Sequence, residues 1–352
     1  MDKVRLGLVG CGRRGVAVTG LFDRHPKCEV TVLMDRFQTC AERAAEQLRL
    51  PNVVTYTDFG KMLREAPVDA LFIASDPLYQ VDMACDAMEA GKHVCTEVPA
   101  AFSLEECSKL VNTVQQTGCK YQLMEQTRYW GFIEAWKRMH DQGEFGHICL
   151  AQGEYIHYRD DRGYWTDVDT GEIITDLVPP GDRKVEPHWR YKLLADPIYY
   201  LPHTLSPLLK VLSDRVVKVS CMGTRQRSYT HPEHHLPWRD LEYALMHTSK
   251  DTLLLVGTGF SLPHVHRGET GWHWYEIRGT KASVTSPRYT RDRFHIWREG
   301  MESYEEAAFS VRPLNTDETQ ARSGHGGADY QPVDTFIAAI LEDTVPPMDV
   351  YR

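Results

Sequence analysis

The chain has 352 residues, of which 42% are hydrophobic and 25% charged, enough for two domains with a sizeable core and unlike a disordered segment. Its net charge of −9 argues against a nucleic-acid binder, which needs a basic face for phosphates. No apolar run approaches the ~18–20 residues that span a bilayer, and the N-terminus runs into a strand without the regions of a signal peptide. Nine cysteines without a Cys-x-x-Cys read as reduced, packed thiols of a cytoplasmic protein.

Residues 1–121 alternate strand-like and helix-like segments, which predicts a doubly wound parallel α/β sheet. Val4–Val9, Glu29–Met34, Asp69–Ser75 and His93–Thr96 read as strands. Val16–Arg24, Gln38–Leu48, Val81–Ala90 and Leu104–Gln116 read as helices. Glu125–Gln142 continues helical, after which the pattern changes. Ile148–His157, Val216–Gln226, Asp240–His247, Thr252–Ser261, Trp272–Gly279 and Arg293–Trp297 predict a large, mostly antiparallel sheet with one open face. This second α/β domain spans 122–330, and 331–352 forms a C-terminal helix and tail. The long connections Asp160–Lys184 and Ser228–Trp238 suit lids or oligomer contacts.

Gly10-Cys11-Gly12-Arg13-Arg14-Gly15 is a G-x-G-x-x-G between a strand and a helix, the pattern of a dinucleotide-binding turn. The first glycine permits the tight turn, the second lets a pyrophosphate approach, and the third lets helix and strand pack. The helix N-terminus then offers free N–H groups to the phosphates. Asp35 follows twenty residues after Gly15, where a carboxylate accepts from ribose hydroxyls. It favours NAD, while Arg36 beside it keeps NADP as the alternative.

With these motifs the chain resembles the Gfo/Idh/MocA family of NAD(P)-dependent sugar oxidoreductases. The resemblance rests on Gly10–Gly15, Asp69–Ser75 and above all on Ala90–Pro99. It implies that Ser75, Glu97, Val98 and Pro99 join the cofactor site. The family usually reads Glu-Lys-Pro where this chain has Glu97-Val98-Pro99, so the catalytic lysine is replaced by a side chain that carries no proton. Tyr199 also stands where the family has an aspartate. In motif the sequence is similar to the NAD-dependent glycosidase branch typified by glycoside hydrolase family 109. That similarity points to Glu125, to Tyr155 and His157 of a Tyr-x-His, and to Tyr200 and His203 of a Tyr-x-x-His. Gly324–Tyr330 and Pro346–Tyr351 also fit the branch pattern.

The resemblance implies an enzyme that oxidises C3 of a sugar, removes the C2 proton, expels the aglycone, adds water and re-reduces C3. Tyr155 and His157 share a strand face, and Tyr200 and His203 share a helical face, so these groups fit proton relay. A sugar or cyclitol dehydrogenase and a non-catalytic dinucleotide sensor are the alternatives. Each residue also has a plainer role: His203 as a backbone cap, the tyrosines as core-edge aromatics, Glu125 as an exposed helix carboxylate. Trp189 and Arg190 are candidate substrate contacts, and Arg159–Arg162 reads as a solvated run. His231–His235 fits no common zinc spacing, so no metal is expected. The open sheet face suggests a homo-oligomer. Family members continue into another helix beyond Arg352, so the chain is either naturally short or truncated.

Overall fold

The computed structural model describes residues 2–156, 164–189, 195–229, 237–262, 266–314 and 316–351. His157, the Arg159–Arg162 run, Arg190 and the His231–His235 cluster lie outside the described residues.

Short apolar runs separated by amphipathic segments build the first sheet. Its strands are β1 (Val4–Val9), β2 (Cys28–Met34), β3 (Val54–Tyr56), β4 (Ala70–Ile73), β5 (His93–Thr96) and β6 (Tyr121–Leu123). All pair in parallel in the order β3-β2-β1-β4-β5-β6, the dinucleotide-binding doubly wound topology. The intervening helices are α1 (Arg13–Arg24), α2 (Gln38–Leu48), α3 (Phe59–Glu65), α4 (Gln80–Glu89) and α5 (Leu104–Thr117). Local signals set their ends. Ser103 caps α5 by accepting from the Glu106 N–H, and Gly118 closes it in the left-handed conformation. β3 and α3 escape the sequence reading because one is three residues long and the other seven.

The expected helix over Glu125–Gln142 is instead a 3-10 turn, Thr127–Tyr129, followed by α6 (Gly131–Asp141). Next comes β7 (Ile148–Ile156), and then three short strands, β8 (Trp165–Asp167), β9 (Ile173–Ile174) and β10 (Val185–Pro187), which form their own antiparallel sheet. A 3-10 turn, Pro197–Tyr200, leads into α7 (Pro202–Leu212), where proline occupies a helix start that needs no amide donor. The remaining strands are β11 (Val216–Gly223), β12 (Glu242–Thr248), β13 (Leu253–Gly259), β14 (His273–Gly279), β15 (Ala282–Thr285), β16 (His295–Arg298) and β17 (Glu305–Glu306). With β7 they make an eight-stranded sheet in the order β11-β12-β13-β7-β14-β15-β16-β17, antiparallel except for the β13–β7 pair. One face packs on α6 and α7 through Trp136, Phe132, Leu208 and Tyr275. On the other face Met222, Leu245 and Leu253 are exposed.

The last helix, α8 (Tyr330–Leu341), returns to the first sheet and buries Val333, Phe336 and Ile337 beside β1 and α1. All nine cysteines are free, but Cys107, Cys149 and Cys221 are exposed, against the expectation of packed thiols. Among the described residues no helix is long and apolar enough to cross a membrane.

Phe336 is fully buried and meets the Phe22 ring edge-on, with centroids 6.4 Å apart. Phe336→Ala is expected to cost about 3–5 kcal/mol, measured as a lower urea midpoint of the transition that reports on the first domain.

Candidate functional site

The six residues after β1 build an anion cradle, and each glycine is needed for a different reason. Gly10 has φ +94°, and a Cβ there would stand 2.6 Å from the Ala74 carbonyl. A Cβ on Gly15 would stand 2.1 Å from the Gly10 carbonyl, so α1 could not approach the turn. At Gly12 a Cβ would meet nothing within 4 Å, because that position faces open space where a pyrophosphate can come close. Gly12 is also the N-cap of α1 and supplies no side-chain cap, which leaves first-turn N–H groups for a ligand. Asp35 steadies the turn: its carboxylate accepts from the Cys11 N–H at 2.8 Å and the Phe37 N–H at 3.0 Å.

These residues line a cleft of about 800 Å³. Gly10, Cys11, Gly12, Arg13, Asp35, Arg36 and Ser75 border it, and so do His188 and Trp189 from the second domain. Trp189, expected at a substrate, borders the same cleft as the glycine cradle. Gly15 lies behind the turn. Val98 packs in a small apolar cluster with Leu123 and Met348 and is joined to Pro99 by a cis peptide bond. The position of the family lysine is thus part of a dry contact. Tyr199 rests edge-on against Phe102.

Arg14, in the middle of the cradle, turns to the protein. It donates to Glu97 at 2.7 Å and to Asp329 at 2.8 Å, and Asp329 also accepts from the His325 ring at 2.9 Å. One arginine ties the phosphate-binding turn, the end of β5 and the loop before α8. Burial pushes the Asp329 carboxyl up, but the Arg14 charge and the His325 contact outweigh it and hold it well below the usual carboxylate range.

The second cluster joins the turn after β6, the last strand of the first sheet, to α7 and β14 of the second domain. Glu125, directly after β6, is fully buried, not the exposed helix carboxylate of the plainer reading. Its Oε2 lies 2.7 Å from His203 Nδ1 on α7, a close contact whose angle departs from that of an ideal N–H···O bond. Its Oε1 accepts from the Thr127 N–H at 2.8 Å, and the Thr127 hydroxyl is within reach of the same oxygen and of the His203 carbonyl. Burial alone would raise the Glu125 carboxyl; the facing His203 and the Thr127 donors reverse that and lower it. The Tyr275 hydroxyl donates to the His203 carbonyl at 2.6 Å, and burial keeps this phenol protonated as a donor. Around the imidazole stand Tyr155, with ring centroid 5.6 Å away, and Tyr200, at 5.4 Å. The structure thus brings Glu125, Tyr155, Tyr200 and His203 together.

The sequence reading missed His273. It is paired with Tyr155 across β14 and β7 and stacks parallel on that ring at 4.0 Å. No motif marks it, and only strand register finds it. Arg14, expected at the cofactor, and Asp329 and His325, singled out only as part of a motif, are likewise joined by long-range contacts.

The described family profile "Oxidoreductase family, NAD-binding Rossmann fold" (Gfo/Idh/MocA) matches residues 4–125. The chain carries the Gfo/Idh/MocA dinucleotide-binding domain. Glycosyl hydrolase family 109 protein 4 of Phocaeicola vulgatus is 29% identical over 238 residues, 64% of this chain and 44% of that protein. Family 109 protein 2 of the same organism is 35% identical over 160 residues, 44% of this chain and 39% of that protein. The matches span less than half the length of these curated relatives. Among solved structures, scyllo-inositol dehydrogenase of Lactobacillus casei with NAD(H) and scyllo-inositol superposes with a TM-score of 0.66 at 17% identity, covering 99% of this chain and 92% of that one. An Agrobacterium radiobacter oxidoreductase in complex with NAD+, L-tartaric acid and magnesium gives 0.73 at 14% identity, covering 99% and 92%. The likeness in fold to these solved oxidoreductases therefore extends over both domains.

Because the native Asp329 carboxyl is held low, its stabilising contribution is complete above the unfolded value of about 4 and is lost as pH falls through the native one. Asp329→Asn is expected to cost about 3 kcal/mol at neutral pH and to flatten the acid limb, read from thermal melts between neutral and acidic pH.

Proposed function

We propose that the protein is a redox glycosidase that holds NAD in the first domain and a glycoside against the second. One observation carries this reading: the buried Glu125–His203 pair stands beside two tyrosines, while Val98 occupies the place of the family lysine. The glycine cradle and the Asp35 carboxylate fit a dinucleotide with an unphosphorylated ribose. The likeness to family 109 proteins agrees with it.

When bound, the dinucleotide supplies reversible acceptance and return of one hydride at a sugar ring carbon. The chain supplies the proton chemistry. His203 turns Nδ1 toward Glu125, so Nε2 is the atom left to take a proton from a sugar hydroxyl or from the carbon beside a ketone. Glu125 is buried behind the imidazole and touches no substrate; it is a positioning residue that fixes the tautomer and stabilises the imidazolium. Tyr155, braced by His273, and Tyr200 place two phenols where a leaving oxygen or an entering water exchanges a proton. His157, two residues beyond Tyr155, joins this proposed set by its spacing, and Trp189 and Arg190 are kept as proposed substrate contacts.

The second reading is a sugar or cyclitol dehydrogenase. The same dyad favours it, since deprotonating one hydroxyl needs a single base. Nitrophenyl glycosides without added cofactor separate the two: nitrophenol release with no lasting change at 340 nm is expected. Steady growth at 340 nm with free sugar and NAD would make the protein a dehydrogenase. Nucleotide binding without turnover of either would leave a sensor.

His203→Ala is expected to lower turnover about 10²–10⁴-fold without loss of bound nucleotide, measured after denaturing the protein. Full activity in this variant would remove His203 from the mechanism. We also propose that a second copy covers the open sheet face. Leu245→Asp with Leu253→Asp should then reduce the mass seen by light scattering to that of one chain.

A further inference from the structure

Two opposing signals stand side by side at the end of β2. Asp35 repels a phosphate on the adenosine ribose, whereas an arginine in the position of Arg36 commonly accommodates one. Arg43 of α2 borders the same cleft and adds a further cation. The local sequence leaves the choice between the two dinucleotides open. The fold brings a third group to the place from the far side of the cleft.

That group is Glu186 on β10. Its carboxylate accepts from the Arg36 guanidinium, which also lies over the Phe37 ring at 4.6 Å. Glu186 borders the cleft together with Thr170, Gly171 and Glu172, opposite Asp35 and Arg36. Its position is fixed by the small sheet, since Glu186 pairs with Thr166 of β8 across the strand register. The turn between β8 and β9 is seated on the start of α2. The Thr39 hydroxyl donates to the Thr170 carbonyl at 3.4 Å, and a Cβ on Gly171 would stand 2.6 Å from the Phe37 ring. So close a fit leaves no room for a side chain at Gly171. Glu186 thus belongs to a segment of the second domain closed down on the adenosine end of the cleft.

We propose that Glu186 is a specificity-determining residue that makes the cleft select NAD over NADP. It acts in two ways. It occupies the guanidinium that would otherwise pair with a 2′-phosphate, and it adds a second carboxylate beside Asp35 where that phosphate would bring about two negative charges. A free 2′-hydroxyl, by contrast, donates to carboxylates and pays no such penalty. The proposal rests on reading the cleft as a dinucleotide site with the ribose at Asp35, and deepens that reading by naming the residue that sets the choice.

The test is isothermal titration of the full chain, stripped of nucleotide, with NAD+ and with NADP+. The wild type is expected to prefer NAD+. Glu186→Gln should tighten NADP+ about tenfold and leave NAD+ within about twofold, because the ribose hydroxyl keeps Asp35. In an Arg36→Ala background the same substitution should lose most of that gain, since the freed guanidinium is the group that takes the phosphate. Glu186 is 41% exposed at its side chain, so the variant should melt with the wild type. A wild type that prefers NAD+ with an unchanged ratio in Glu186→Gln overturns the role of Glu186 and leaves the NAD reading standing. A wild type that prefers NADP+, or binds neither, overturns the NAD reading and the proposal with it.

Discussion

A carboxylate with no exposed surface is the constraint around which the two domains are arranged. Removing Glu125 from water costs several kcal/mol unless its charge is answered by a partner and its oxygens by donors. Each answer comes from a different part of the chain. The Thr127 amide meets one oxygen within the turn after β6, and His203 meets the other from α7 of the second domain. Tyr275 of β14 then holds the His203 carbonyl, so the sheet itself fixes where the imidazole stands. Both the join between the first sheet and the second domain and the placing of the His203 imidazole follow from solvating one buried charge with protein.

The same arrangement accounts for the loss of an amine at position 98. A lysine there would have to be desolvated among Leu123 and Met348. Valine fills that space with matching apolar surface. In the proposed mechanism the proton chemistry falls to the second domain, where Tyr155, Tyr200 and His273 surround the imidazole. Two substitutions that look like losses in sequence become compatible with packing, and Tyr199 in the other finds Phe102 rather than a catalytic partner.

What could be read from sequence was what local physics determines. The glycine turn was legible because three glycines at fixed offsets answer three steric demands within six residues, and β1, α2 and β5 appeared with the ends read from their periodicity. Tyr155, Tyr200 and His203 were found through motif resemblance and are brought together by the fold. Glu125 was found with the wrong surroundings, since a helical continuation would have exposed it, whereas a turn at Thr127 folds its carboxylate inward. His273 and the Arg14–Asp329 bridge were not legible in principle: the first depends on which residue of β14 falls opposite Tyr155, the second on a contact across 315 positions. β3 and α3 are too short for a period to declare itself.

The segment from Tyr164 to Trp189 draws these strands of argument together. At one end Tyr164 stacks on Trp238 and shares an apolar cluster with Tyr155, Tyr200 and Phe260, so it buttresses the proposed proton-transfer residues. At the other, Gly171 and Glu186 sit on Phe37 and Arg36 at the adenosine end of the cleft. A segment anchored at both ends cannot lift from one without disturbing packing at the other, because interiors packed this closely transmit displacement rather than absorb it. Such a linkage suits a reaction in which the hydride taken from a sugar returns to the same molecule. The cofactor then has no need to leave between turnovers, and closure over its adenosine end costs no rate. In a dehydrogenase the same closure would have to open at every cycle, and the aromatic cluster at the reacting end would have to be disturbed each time.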